Sequence, residues 1–164
     1  MAVSFIALGA NLPGRFASPA AAVEAAIGAL QEPEIALLSR SRLYRSVAWP
    51  DPSEPEFINA VISVMTDLDA LNLLARLHML EAEFGRERRK PNAPRPLDLD
   101  IVDYAGRVSA SGETPILPHP RMTDRAFVLL PLADIAPDWR HPVTGTPIAD
   151  LVRALPDPSA AVPL

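Results

Sequence analysis

Asn92-Ala-Pro-Arg-Pro-Leu-Asp-Leu-Asp-Ile101 ends in a strict alternation of apolar and acidic residues. Side chains alternate across a strand, so the pattern predicts a strand from Leu97 to about Tyr104. Asp98 and Asp100 then share one face, and Leu97, Leu99 and Ile101 share the other. Two adjacent carboxylates repel, and burying either costs several kcal/mol unless a cation compensates. The stretch therefore reads as a buried strand whose acidic face awaits a metal ion or arginines.

Outward from this strand, the neighbouring segments decide the class. Asp69 is a good N-cap, with Leu73, Leu77, Leu80 and Phe84 as a core stripe and Gly85 as the stop, which predicts a helix before it. Ala105-Gly106-Arg107 can turn the chain into a hairpin after it. Val3 to Leu8 reads as a buried strand, Ser18 or Pro19 to Leu30 as a helix, and Ile35 to Val47 as a strand paired with a second one at Phe57 to Met65. Phe127 to Ile135 and Thr146 to Leu155 read as helices. Strands interleaved with helices around an antiparallel hairpin give an α+β class, a mainly antiparallel sheet covered by helices. One domain over residues 1–155 is expected, followed by a loosely held tail at 156–164.

The net charge of −5 argues against a general nucleic-acid binder, whose affinity would come from neutralising many phosphates. No apolar run approaches the roughly 20 residues that span a bilayer, and no basic region precedes a signal-like stretch, so a cytoplasmic protein with no membrane partner is expected. There is no cysteine, which leaves oxygen and histidine as metal ligands. The positive charge is uneven: Arg86, Arg88, Arg89, Lys90 and Arg95 crowd into ten positions of an acidic chain, which suits a small polyanion.

Four stretches carry candidate chemistry. Gly9 to Phe16 has the glycine spacing of a phosphate-cradling loop, but Arg15 and Phe16 stand where such a loop needs Lys and Ser or Thr, so it reads as an ordinary turn. Asp98 and Asp100 are hard oxygen donors suited to magnesium, with waters and substrate phosphates completing the shell. Arg86, Arg88 and Arg95 offer planar forks for phosphate close to that acid pair. His119, held between prolines with Arg121 and Arg125 close behind, reads as a phosphate contact. His78 and Glu81, at i and i+3 on the second helix, could face the same site. His141 has no evident partner.

These residues occur in an order that resembles the 6-hydroxymethyl-7,8-dihydropterin pyrophosphokinase family. The matching pieces are Phe5 to Leu12, Tyr44-Arg45-Ser46, Phe57 to Ala60, Glu81 to Arg88, Arg95 to Ile101, and Pro118 to Met122 with Arg125-Ala126-Phe127. The resemblance implies a ferredoxin-like α-β-α fold and transfer of pyrophosphate from ATP to 6-hydroxymethyl-7,8-dihydropterin in folate biosynthesis, releasing AMP. It implies that Asp98 and Asp100 ligate two Mg2+ ions bridging the ATP phosphates. Arg86, Arg95, His119 and Arg125 would contact phosphates or support closed loops, with Arg88 and Arg121 beside them. His78, Glu81 and the backbone of Ile101 would lie near the nucleoside. Phe57 and Phe127 would sandwich the pterin ring, and Asn59 would bond its edge, helped by backbone groups of Ser46, Val47 and Trp49. A monomer is expected.

Phe57 and Asn59 lie two apart, so a stacking ring and an amide share one strand face. Two other readings compete. A two-metal nucleotidyl transferase or nuclease would use Asp98 and Asp100 but needs a third carboxylate, for which the only neighbour is Asp103, expected on the opposite face. A ferredoxin-like ligand-binding module would bind without chemistry.

Overall fold

β1 (Ala2–Ala10) and β4 (Phe57–Thr66) form the centre of an antiparallel sheet, paired along their whole length from Ala2 opposite Thr66 to Ala10 opposite Ile58. The computed structural model describes residues 1–48, 51–85 and 96–164. β5 (Asp98–Tyr104) pairs with the other side of β1. Along the free side of β4 run β2 (Ile35–Arg40) and β3 (Tyr44–Ser46), end to end. With β6 at Ala161–Pro163, the strand order is β5-β1-β4-β3-β6, with β2 also on β4 and every pairing antiparallel.

Alternation along these strands builds a core on each face. Ile6, Leu8, Ala60, Ile62, Val64, Leu99 and Ile101 pack under α1 (Pro19–Ala29) and α2 (Ala70–Glu83). On the other face Val61, Val102, Tyr44 and the partly buried Phe5 and Ala7 meet α3 (Ala126–Ile135) and α4 (Ile148–Arg153). The result is the expected α-β-α arrangement. The Asp69 N-cap forms as expected, its carboxylate accepting from Asn72 N at 2.8 Å, and of the two candidate openers Ser18 is the cap of α1, its Oγ accepting from Ala21 N at 3.1 Å, with Pro19 as the first helical residue. Gly85, at φ +90°, ends α2 where a side chain would be strained.

Four expectations change. The predicted strand at 35–47 is broken at Ser41, Arg42 and Leu43. There Ser41 N donates to Val61 O at 2.9 Å while Ser41 Oγ accepts from Val61 N at 3.0 Å, so a hydroxyl stands in for a ladder carbonyl. The loosely held tail is instead fastened: β6 (Ala161–Pro163) pairs with β3 and buries Ala161. The turn after β5 forms, with Arg107 N donating to Tyr104 O, but the returning chain rejoins the edge of β5 only where His119 N donates to Val102 O at 2.9 Å. The last helix spans Ile148–Arg153, shorter than the 146–155 expected.

Candidate active site

A cavity of about 600 Å³ opens on the α3 face, at the end of the sheet where β1 finishes and β4 and β5 begin. Strand register explains its floor. Gly9 lies between Asp98 on β5 and Asn59 on β4, and Ala7 lies between Asp100 and Val61. Along this face β1 carries Phe5, then Ala7, then Gly9, so the side chains dwindle toward the opening and leave room above the sheet. Asp98 and Asn59 stand two strand spacings apart, roughly 10 Å along the hydrogen-bonding direction.

The walls come from other elements. Ser46 and Val47 arrive from β3 and its exit, Phe57 from the start of β4, and Arg121, Asp124 and Arg125 from the 3-10 turn Met122–Asp124 and its flanks. Phe127 and Val128 come from the first turn of α3. The Arg125 guanidinium sits over the Phe127 ring, at 5.4 Å from its centroid, which couples a cation to the aromatic wall. The two phenylalanines therefore lie on separate elements facing one cavity, a place for a flat ring.

His119 is held beside the acids by its backbone bond to β5. Its Nε2 lies 3.9 Å from Asp100 Oδ2, and its Nδ1 accepts from Arg121 N at 3.2 Å. Burial, reinforced by the Arg125 charge, pushes the imidazole down to about 4, so the ring is neutral at pH 7. With Nδ1 accepting, the ring proton belongs on Nε2, aimed toward Asp100. A neutral donor beside two acids and two arginines can hold a phosphate oxygen without adding charge.

The sequence-predicted residues divide into three groups. Ser46, Val47, Phe57, Asn59, Asp98, Asp100, Arg121, Arg125 and Phe127 all line the cavity, and His119 stands against Asp100. His78, Glu81 and Ile101 do not line it. His78 is exposed on α2, Ile101 packs in the first core, and buried Glu81 reaches the outer edge of β5, where Leu99 N donates to Glu81 Oε2 at 3.4 Å. Trp49, Arg86, Arg88 and Arg95 lie outside the described residues.

Asp103 is not on the face opposite to the acid pair. The β1–β5 register slips between Phe5 and Ile6, making Val102 an extra residue, so Asp103 opposes Phe5 and turns to the α3 face. It is occupied there, accepting from Trp139 Nε1 at 2.9 Å and from Gly106 N at 3.0 Å. The third carboxylate in the cavity is Asp124, which the sequence reading missed. Its spacing, three after Arg121 and one before Arg125, was the available signal. His141 also has partners: Nδ1 accepts from Val143 N and Thr144 N, closing a surface turn. The glycine-spaced loop after β1 is a packed turn, with Arg15 stacked on Phe16 and Phe84 and donating to Glu83 O at 2.8 Å, the carbonyl end of α2.

Among the described residues, no group of three or more His, Cys, Asp or Glu is arranged to hold a metal by protein ligands alone. A carboxylate pair on a cavity floor nevertheless fits magnesium, which keeps waters and takes substrate phosphates as ligands. No helix among the described residues is long and apolar enough to cross a membrane.

A family model described as 7,8-dihydro-6-hydroxymethylpterin-pyrophosphokinase (HPPK) matches residues 5–137. A 2-amino-4-hydroxy-6-hydroxymethyldihydropteridine pyrophosphokinase of Pseudomonas aeruginosa is 39% identical over 153 residues, covering 93% of this chain and 91% of its own length. One from Methylorubrum extorquens is 38% identical over 138 residues, covering 84% and 85%. The folic acid synthesis protein fol1 of Pneumocystis carinii is 40% identical over 153 residues, 93% of this chain, but the chain spans only 20% of that protein. The crystal structure of wild-type Plasmodium falciparum HPPK-DHPS superposes with a TM-score of 0.71 at 14% identity, over 93% of this chain and 40% of that one. At that identity the likeness speaks for the fold.

Proposed function

The chain belongs to the 7,8-dihydro-6-hydroxymethylpterin-pyrophosphokinase family, and we propose from that premise how its cavity performs pyrophosphoryl transfer. The reaction moves a diphosphate from ATP to 6-hydroxymethyl-7,8-dihydropterin, giving AMP and the pterin diphosphate, a step of folate biosynthesis. One observation carries the assignment of roles. The acid pair, the Arg121 and Arg125 pair and the two phenylalanines with Asn59 come from four different elements and meet in one cavity.

The pterin lies between Phe57 and Phe127 with its edge on Asn59, and its hydroxymethyl arm reaches toward Asp98 and Asp100. The roughly 10 Å between the strands that carry them suits a two-ring heterocycle with its arm extended. Arg121, Arg125 and the neutral His119 hold the triphosphate, joined by Arg86, Arg88 and Arg95, while His78, Glu81 and the Ile101 backbone serve the nucleoside. Asp98 and Asp100 would hold two magnesium ions, which neutralise phosphate charge and acidify the attacking hydroxyl. The protein's own share is positioning and charge compensation, as phosphoryl transfer requires, with no dedicated base. The unit that does this is one domain acting as a monomer in the cytoplasm.

Asp124 adds a third carboxylate to the cavity, but it comes from the 3-10 turn beside Arg125 and not from the β5 floor that carries Asp98 and Asp100. Purified protein with ATP, magnesium and 6-hydroxymethyl-7,8-dihydropterin should form AMP in step with the pterin diphosphate. ADP as product, or no turnover, would overturn the reading. Chelation of magnesium should abolish turnover.

A further inference from the structure

We propose that Ser46 and Gly9 are positioning residues that set the polarity of Asn59, so that the cavity offers its ligand an acceptor, Asn59 Oδ1, matched to an edge bearing N–H donors. The proposal rests on the pterin reading above and specifies how that site selects its ring. Asn59 and Ser46 are among the few buried polar residues, at 3% and 6% exposure, and both line the cavity. A buried primary amide has two orientations of opposite meaning to a ligand, so something must choose between them.

Two contacts make the choice together. Asn59 Nδ2 donates to Ser46 Oγ at 2.8 Å, the short contact that carries the energy. A hydroxyl can donate or accept, so alone it would tolerate either orientation. The Phe57 carbonyl, 3.5 Å from the same nitrogen, can only accept. Turning the amide over would set oxygen against oxygen there, so the carbonyl names the atom and the hydroxyl holds it. Ser46 is in place because it pairs directly with Phe57 across β3 and β4.

The oxygen then lies on the side of Gly9, the residue paired with Asn59 across β1 and β4. A Cβ on Gly9 would come within 3.2 Å of Asn59 Oδ1 and 3.6 Å of Phe57 Cδ1. The first distance is tighter than ordinary van der Waals contact, so any side chain at position 9 crowds the acceptor and presses on the ring wall. The bare Cα leaves Oδ1 open to the cavity. A ligand edge with an exocyclic amino group and a ring N–H suits this acceptor. An analogue with oxygen in place of the 2-amino group sets two acceptors face to face.

The test compares wild type, Ser46→Ala, Ser46→Thr and Gly9→Ala. Ser46→Ala should raise KM for the pterin about tenfold and leave KM for ATP within twofold, since the amide is freed but the phosphate end is untouched. It should also narrow the preference for the pterin over its 2-oxo analogue, which in wild type should be at least tenfold. Ser46→Thr keeps the hydroxyl and should restore both. In 15N-labelled protein without ligand, an Asn59 side-chain proton should be protected from exchange in wild type and Ser46→Thr and unprotected in Ser46→Ala. Gly9→Ala should weaken pterin binding with ATP binding retained. Equal protection in Ser46→Ala, or an unchanged analogue preference, overturns the positioning role. A wild type that forms no AMP overturns the functional reading instead, and the exchange measurement still decides whether Ser46 holds Asn59.

Discussion

Asp100 faces the neutral His119 on one side and the cavity on the other, and it and Asp98 are half-exposed on a strand otherwise buried. Replacing it with asparagine keeps the shape and removes the charge. Asp100→Asn should lower kcat for AMP formation by about 10²- to 10³-fold, the range for losing a preorganised electrostatic group, with an unchanged circular dichroism spectrum. Activity within threefold of wild type would remove Asp100 from the catalytic set. At this scale legibility follows regularity. Asp98 and Asp100 could be read because an unbroken strand has period two. Asp103 was misplaced because one extra residue, Val102, inverts the count. Asp124 was missed because a 3-10 turn between loops has no apolar periodicity to orient it.

Elements were legible where local chemistry closes them. Ser18 and Asp69 are caps whose bonds run within three residues; the Asp69 cap is legible in the sequence, and Ser18 is one of the two openers it offers for α1. Asp69→Ala should cost about 1 kcal/mol, read as a lower urea midpoint at unchanged slope. Ties between elements were not legible. Tyr44 on β3 donates to the Asp134 carboxylate on α3 at 2.9 Å, and Arg42 pairs with the same carboxylate at 3.0 Å. Burial and this hydrogen bond hold the phenol above its ordinary range, so it remains a donor at neutral pH. The tie fixes α3, whose first turn carries Phe127, against the strand that carries Ser46. Tyr44→Phe should lose about 1–2 kcal/mol of unfolding free energy and raise KM for the pterin more than for ATP. Equal changes in both constants would show that the tie serves stability alone.

Across the whole molecule, the last strand closes the sheet on the same side. β6 pairs with β3 from Ser46 opposite Ala161 to Tyr44 opposite Pro163, and Leu164 N donates to Leu43 O. Removing residues 161–164 should lower the thermal midpoint and weaken pterin binding while ATP binding is retained. An unchanged melting curve would return these residues to the status of a tail. In the sequence they read as a tail because a three-residue strand ending in a proline carries no periodic signal, and their partner lies more than a hundred positions away.

By itself the sequence determined the α+β class, the two capped helices, the acid pair on one strand face and the resemblance that ordered the candidate residues. These rest on interactions over a few positions, where period and capping act without knowledge of the partner. Only the tertiary structure decided which of those residues meet. Register sets Gly9 between Asp98 and Asn59, a bulge turns Asp103 to the α3 face, and β3 carries Ser46 to the amide of Asn59. Such choices belong to pairings between distant strands, whose energies depend on both partners at once and cannot be read from either alone.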